Sequence, residues 1–396
     1  MGVWERDEMA AHREDGCERR RRVLIALGAA GLVAFAVALA VDPRRAWTSL
    51  LLGNLFFLLP ALGGTVLVAL NYAFSGAWLV AFRRVPEAMS AYLPIAFALM
   101  VILFAAGGRA LYPWLDPERV AGSPHLQHKA VYLNAPFFLA RTAIAFGVWM
   151  LFSRLLRRHS RAQDHDGDVA HTRRSQRLSA GFLVAFAATF IFASFDWVMS
   201  LQPEWYSTLF PAYLLAGLLL GGSVVTLAMV ILLRREGHLP VVGDGHLYEL
   251  VRLTAAASTF WAYIWFCQYM LIYYTNIPEE AVYYASWREG AWAWLFPLNL
   301  VLNWVAPVAL LLPSRGRRSG SWLLKVCAVV LVGRWLDLYL LVAPAPGLPM
   351  RLGLPEILIP LGLAPLFVLP ARRLFFSARP VPERDPYLRE SAPTTA

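Results

Sequence analysis

The feature that most limits what this chain can fold into is a recurrence. Apolar runs of membrane-spanning length return about ten times, near residues 23–41, 47–74, 87–108, 131–153, 178–200, 205–233, 247–275, 291–312, 322–343 and 354–376. At a rise of about 1.5 Å per residue, roughly 20 apolar residues cross a bilayer as a helix. The expected fold is therefore all-α, a polytopic integral membrane protein of about ten transmembrane helices. A content of 58% hydrophobic against 16% charged residues lies outside the usual range of a soluble domain and agrees with that expectation. The second, sixth and seventh runs are long enough to tilt or project, and Pro360, Pro365 and Pro370 can kink the tenth or end it early.

Basic residues set the expected orientation. Arg13 and the run Arg19 to Arg22 precede the first span, and Arg154, Arg157, Arg158, Arg161, Arg173, Arg174 and Arg177 fall in the fourth connection. Placing the N-terminus inside puts about 25 of the Lys and Arg residues in inner segments and about 7 in outer ones, so both termini are expected in the cytoplasm. The net charge of +10 then belongs to the positive-inside pattern and to attraction for the anionic leaflet, not to nucleic-acid binding. The basic head, residues 1–22, runs into a full-length span with no clear cleavage site, so no signal peptide is expected. A membrane domain over 23–376 follows. Its polar stretch 157–177 reads as a solvated cytoplasmic linker, and 377–396 as a solvated tail.

Cys17, Cys267 and Cys327 are too few and too scattered for a disulfide framework, a covalent haem or an iron–sulfur cluster. None of the eight histidines falls inside an apolar run, which excludes bis-histidine haem ligation within the membrane. No metal site or covalent cofactor is expected. Proton or quinol handling would have to use other side chains.

Charged groups inside apolar runs are the natural candidates, because each costs about 2.5–3.5 kcal/mol unless it faces the bundle with a partner. Arg141 in the fourth run and Asp196 in the fifth lie near the outer ends of antiparallel neighbours, where they can pair. That pair reads either as a structural ion pair or as part of a quinone or proton site. Arg334 and Asp337, spaced i, i+3, can neutralise each other on one helix face, and Glu249 with Arg252 repeats the spacing at an inner end where snorkelling is cheap. Glu87 opens the third helix, where the dipole favours a carboxylate and where a proton path could begin, with tyrosines such as Tyr72 and Tyr92 along it. Asn54 and Asn71 flank Gly63-Gly64, a pair that lets a neighbouring helix approach closely.

The stretch Thr259 to Tyr284 carries rings on every face of the seventh helix, from Phe260, Trp261 and Tyr263 to Tyr273 and Tyr274. These rings read as a groove for an isoprenoid quinone or as packing at a subunit interface. Asn276 to Glu280 (NIPEE) then meets water on the outer side as a helix cap or a docking point for a partner.

Five ordered segments carry a resemblance: GNLFFLLPALGGTVLVALNY with SGAWLVAFRRVPEAM, then HLQHKAVYLNAPFFLAR, FDWVMSLQPEWYSTLF and FWAYIWFCQYMLIYYTNIPEEAVYY, within residues 47–312. Together they resemble the second quinone-type membrane subunit, the F subunit, of alternative complex III. That complex is the bacterial quinol:cytochrome c oxidoreductase unrelated to the bc1 complex, and the subunit belongs to the wider polysulfide-reductase-like group. The resemblance implies ten helices as two four-helix bundles with one flanking helix at each end. It also implies residence in the bacterial inner membrane, with an iron–sulfur subunit, multihaem cytochrome c subunits and a sister quinol-binding membrane subunit as partners. Quinone or menaquinone is the group that family names attach to it, yet the sister subunit is the one usually given the working quinol site.

Spans without histidine direct the reading to a subunit that is not itself redox active, supports assembly and conducts protons through Glu87, Asp196, Arg141, Tyr72 and Tyr92. The first alternative is a quinol site of its own near the outer surface, with Asp196, Arg141, His125 and His128 around the headgroup and acid–base help for the released protons. The second is a stand-alone secondary transporter, for which the halves show no repeat and the only proline-rich span is the last.

Overall fold

The computed structural model describes residues 3–278, 280–281, 292–311, 319–343 and 352–391, with side chains from residue 18 onward except at residue 292. Glu279 of the NIPEE segment and residues 282–284 at the end of the aromatic stretch lie outside the described residues. The described chain is helical, and nine of its helices are long and apolar enough to cross a membrane. They are α1 (Glu18–Val41 within the helix Val3–Val41), α2 (Pro43–Ala73), α3 (Arg84–Leu111), α4 (Ala135–Asp166), α5 (Val169–Leu201), α6 (Phe210–Arg235), α7 (Asp244–Thr275), α8 (Ala293–Leu311) and, last in the chain, α10 (Leu354–Phe375). Between the last two lies α9 (Gly320–Val342), also of spanning length at 23 residues but carrying Lys325, Arg334 and Asp337. This is an all-α, multi-pass membrane protein.

Helices α2 to α5 pack together, as do α6 to α9, while α1 and α10 pack on each other and against α2. The hub is the contact of α2 with α6, whose apolar windows are 89% and 72% buried against 11% for α1. The sequence reason is Gly63, where a β-carbon would stand 2.5 Å from the Leu218 carbonyl oxygen, opposite Gly222. Because lipid tails are as apolar as the helix surfaces, no hydrophobic force drives the helices together, and such small residues let dispersion between closely approaching backbones hold them. The expectation of close approach at Gly63-Gly64 is met there.

Helix ends follow local chemistry. Asp42 caps α2 by accepting from the Arg45 amide at 3.2 Å, with Pro43 in the first turn, where its missing N–H costs nothing. α10 breaks at Leu363 into Leu354–Gly362 and Ala364–Phe375, the interruption its prolines predict.

Two polar stretches differ from their expected form. Residues 157–177 are not an irregular linker. α4 continues to Asp166, Gly167 takes the left-handed conformation at φ 72° that ends a helix, and Asp168 starts α5 by accepting from the Ala170 amide at 2.8 Å. The two helices thus project together about 14 Å past the apolar runs. Polar side chains pair between them: Gln163 donates to Thr172 at 2.7 Å, and the Nδ1 atoms of His159 and His171 stand 3.1 Å apart. The described part of the tail is not free either. Asp385 is buried against Arg83, Arg384 donates to the His165 carbonyl, and Ser391 accepts from the Ala81 amide at 3.3 Å. Because Gly243 donates to His246 Nδ1 at 3.1 Å, the Nε2 of that buried ring carries the hydrogen that it shares with Ser391 at 3.1 Å. The tail closes over one end of the bundle, the basic face, which also carries the ends of α2, α4, α6 and α10.

Candidate functional site

Three clusters of buried charge stand out. The first is at the basic face. Arg83 donates to Asp385 at 2.6 Å and lies 3.3 Å from Glu87, while Arg84 binds Glu87 at 3.0 Å and also reaches Asp164. Tyr72 is buried beneath the Arg83 guanidinium, 4.7 Å from its ring centre. Glu87 and Tyr72 therefore share one cluster. Arg157 donates to Ser90 at its edge, beside a cavity of about 10 Å³ lined by Thr65, Glu87, Ser90 and Ser153. Tyr92 is separate, donating to Asn54 Oδ1 at 3.0 Å while the Asn54 amide reaches the Ala96 carbonyl at 3.2 Å.

The second cluster joins α4 and α5 near the opposite face. Arg141 grips Asp196 with two parallel bonds, Nε to Oδ2 at 2.7 Å and Nη2 to Oδ1 at 2.9 Å, and its Nη1 donates to the Tyr132 carbonyl at 3.1 Å. The rings of Tyr132 and Phe137 lie 3.9 and 4.1 Å from its Cζ. Burial first, and then the Asp196 charge, raise the Tyr132 phenol above its ordinary range, so the ring stays neutral. Trp197 donates to Thr142 at 3.1 Å and Tyr112 to the Trp197 carbonyl at 3.2 Å, which fastens the same helix ends. His125 and His128 are exposed on the short helix Pro124–Lys129, and among the described residues neither bonds to Arg141 or Asp196. A cavity on the α2 side of α5, lined by Ser194, Trp197 and Val198 with Trp149 and leucines of α2 but not by Asp196, holds about 10 Å³, the room of one water. A quinone ring does not fit it.

The third cluster lies inside α6 to α9. Arg334 Nη1 stands 2.9 Å from Asp337 Oδ2 on the next turn and 3.4 Å from Asn303 Oδ1. Asp337 Oδ1 accepts from Asn299 at 2.8 Å and from the Tyr213 hydroxyl. Asn303 donates to Asn299 Oδ1 at 2.7 Å. The backbone explains how two asparagines come to point inward. Pro307 has no N–H to donate to the Asn303 carbonyl one turn back. That carbonyl instead accepts from Ser258 of α7 at 2.5 Å, and α8 widens into a π turn over Val301–Val305. Such turns are frequent at functional sites. Gly217 on α6 makes the room, since a β-carbon there would stand 2.2 Å from Arg334 Nη2. Among the described residues, buried Nη2 of Arg334 and buried Nε1 of Trp261, whose ring is 5.7 Å from the guanidinium, find no acceptor.

Arg334 and Asp337 thus belong to a five-residue polar network rather than to an isolated pair. Asn299, Asn303 and Tyr213 are its members that charge-based reading passes over, although two Asn at i, i+4 between Pro297 and Pro307 are visible in the sequence. Glu249 and Arg252 are exposed, 3.4 Å apart. On α7, Trp261 and Trp265 face the bundle while Tyr263, Phe266, Tyr273 and Tyr274 face outward. Among the described residues, no group of three His, Cys, Asp or Glu side chains could hold a metal ion. No protein-family model matches this chain, and no curated protein is significantly similar to it.

Proposed function

We propose that this chain is a membrane subunit of a bacterial quinol:cytochrome c oxidoreductase of the alternative complex III type, supporting assembly and conducting protons without itself being redox active. Its partners are then an iron–sulfur subunit, multihaem cytochrome c subunits and a sister quinol-binding subunit in the inner membrane, with the basic face cytoplasmic by the positive-inside rule.

The observation that carries the reading is the buried network of Tyr213, Asn299, Asn303, Arg334 and Asp337, an acid inside the membrane domain that keeps unused hydrogen-bonding capacity beside it. Ionisable groups at such depth are retained for function by default. The basic-face cluster around Glu87 supplies an entry for protons. The close-packed surroundings of Asp196 favour this reading over a quinol headgroup at that position.

The test is Asp337→Asn in the purified complex reconstituted in vesicles. The expected result is normal assembly and normal quinol:cytochrome c turnover with loss of the accompanying proton uptake. Unchanged proton uptake at full turnover defeats the proton role, and isolation of the chain as a stable, active unit without partners defeats the complex reading.

A further inference from the structure

Where α1, α6 and α10 reach the basic face they enclose a groove of about 820 Å³. Above it α1 and α10 touch: a β-carbon on Gly31 would stand 2.5 Å from the Gly362 Cα, and one on Gly28 would stand 3.4 Å from Pro365. Below that contact the helices part. The groove wall is apolar, formed by Leu24 of α1, Met229 and Leu233 of α6, and Val368, Leu369 and Phe375 of α10. Met229 and Val368 lie two turns inside their helix ends, so the groove descends roughly 10 Å below the charged level.

Its rim is basic. Arg19, Arg20, Arg21 and Arg372 line it together with one carboxylate, Glu236. Glu236 is already shared, pairing with Arg20 through Oε1 and lying 3.6 Å from Arg372 through Oε2. Among the described residues, Arg19 and Arg21 have no carboxylate within ion-pairing distance. An apolar slot open to the membrane, capped at headgroup level by a surplus of guanidinium groups, matches one kind of occupant. It has a hydrocarbon tail and an anionic phosphate.

We propose that this groove is a binding site for an anionic phospholipid of the surrounding bilayer, one acyl chain between α1, α6 and α10 and the phosphate on Arg19 and Arg21. Guanidinium groups present their donors to phosphate oxygens in a matching fork. Apolar contact along the slot discriminates a lipid from a free anion. Because α1 is otherwise held mainly through α10, the bound lipid also fastens it to α6.

The test uses the full-length protein in nanodiscs of mixed phosphatidylcholine and phosphatidylglycerol, with retained lipid counted by native mass spectrometry. The wild type should retain phosphatidylglycerol in preference to phosphatidylcholine. Arg19→Gln and Arg21→Gln should each weaken that retention about fivefold, and Arg→Lys at the same positions, which keeps the charge but loses the fork, should weaken it by less. Leu233→Trp with Leu369→Trp fills the slot and should lose the lipid with every arginine in place; unchanged helicity by circular dichroism confirms that this variant is folded. Equal retention of the two lipids by the wild type overturns the site. Retention that survives filling the slot reduces it to diffuse surface charge, and displacement of the lipid by inorganic phosphate alone makes it a simple anion site; either result also overturns it.

Discussion

The two arginine–aspartate pairs inside this membrane domain look alike in sequence and differ in kind. Arg141 and Asp196 join two helices, and their chemistry is used up: both carboxylate oxygens are gripped, a third donor reaches a carbonyl and two rings cover the guanidinium. Arg334 and Asp337 sit on one helix. Their carboxylate is shared with a tyrosine and an asparagine, and a guanidinium nitrogen remains unsatisfied. A saturated pair resists change in protonation because every partner is tuned to one charge state. A pair with spare donors and acceptors can take in a water or a proton without dismantling the helices. On the proposed function, the first is a clamp and the second the site that handles protons.

The largest expected effect breaks the clamp. Asp196→Ala leaves Arg141 charged, buried and unpaired, which costs about 3–5 kcal/mol, and the chain should fail to assemble or melt far below the wild type in detergent. The double variant Arg141→Met with Asp196→Leu removes both charges and should recover most of the loss, because well-packed apolar side chains replace buried ion pairs at little cost. A double variant as unstable as the single one would assign Asp196 a role beyond clamping.

Asp337→Asn sharpens the other half of the comparison. The amide keeps the shape and a carbonyl oxygen for Tyr213 and Asn299, while its NH2 replaces the oxygen that faces Arg334, so the stability loss should be about 2–3 kcal/mol, below that of breaking the clamp, and the protein should still assemble. Proton uptake is where the variant should fail. Thermal melting and vesicle acidification measured on the same preparation separate the two effects.

How much of this contrast is legible in the sequence depends on what hydropathy can see. Spans and intramembrane charges stand out because lipid makes them costly exceptions, so Arg141, Asp196, Arg334 and Asp337 can be picked out by their positions within apolar runs. Asn299 and Asn303 do not stand out. An amide carries no charge and so passes a reading that looks for intramembrane charge, and what makes these two matter is the carbonyl released by Pro307 and the space at Gly217 on another helix. The polar run 157–177 reads as a linker because composition records solvent contact but not the helical pairing of Gln163 with Thr172. Asp385 reads as tail because its partner Arg83 is 302 residues away. Distant pairing of polar groups is the part that local pattern does not carry.

A middle-sized effect tests the room around the working site. Gly217→Ala places a methyl group where Arg334 Nη2 now lies, and overpacking of this kind costs about 1–3 kcal/mol. The guanidinium must swing away from Asp337 and Asn303. Proton uptake should fall while the Arg141–Asp196 half of the molecule is untouched, which cross-linking of cysteines placed on α4 and α5 would verify.

The smallest effect returns to the clamp and asks what its rings contribute. Tyr132→Phe keeps the aromatic face 3.9 Å from the Arg141 Cζ and keeps the backbone carbonyl that Arg141 uses, so melting should be nearly unchanged. Tyr132→Leu removes the π face from a partly desolvated guanidinium, a loss of about 1 kcal/mol. The predicted order is therefore wild type and Phe together, then Leu, with proton uptake equal in all three. If Phe melts as low as Leu, the hydroxyl rather than the ring supports the pair. If either variant slows proton uptake, the clamp takes part in conduction and the division between the two pairs is wrong.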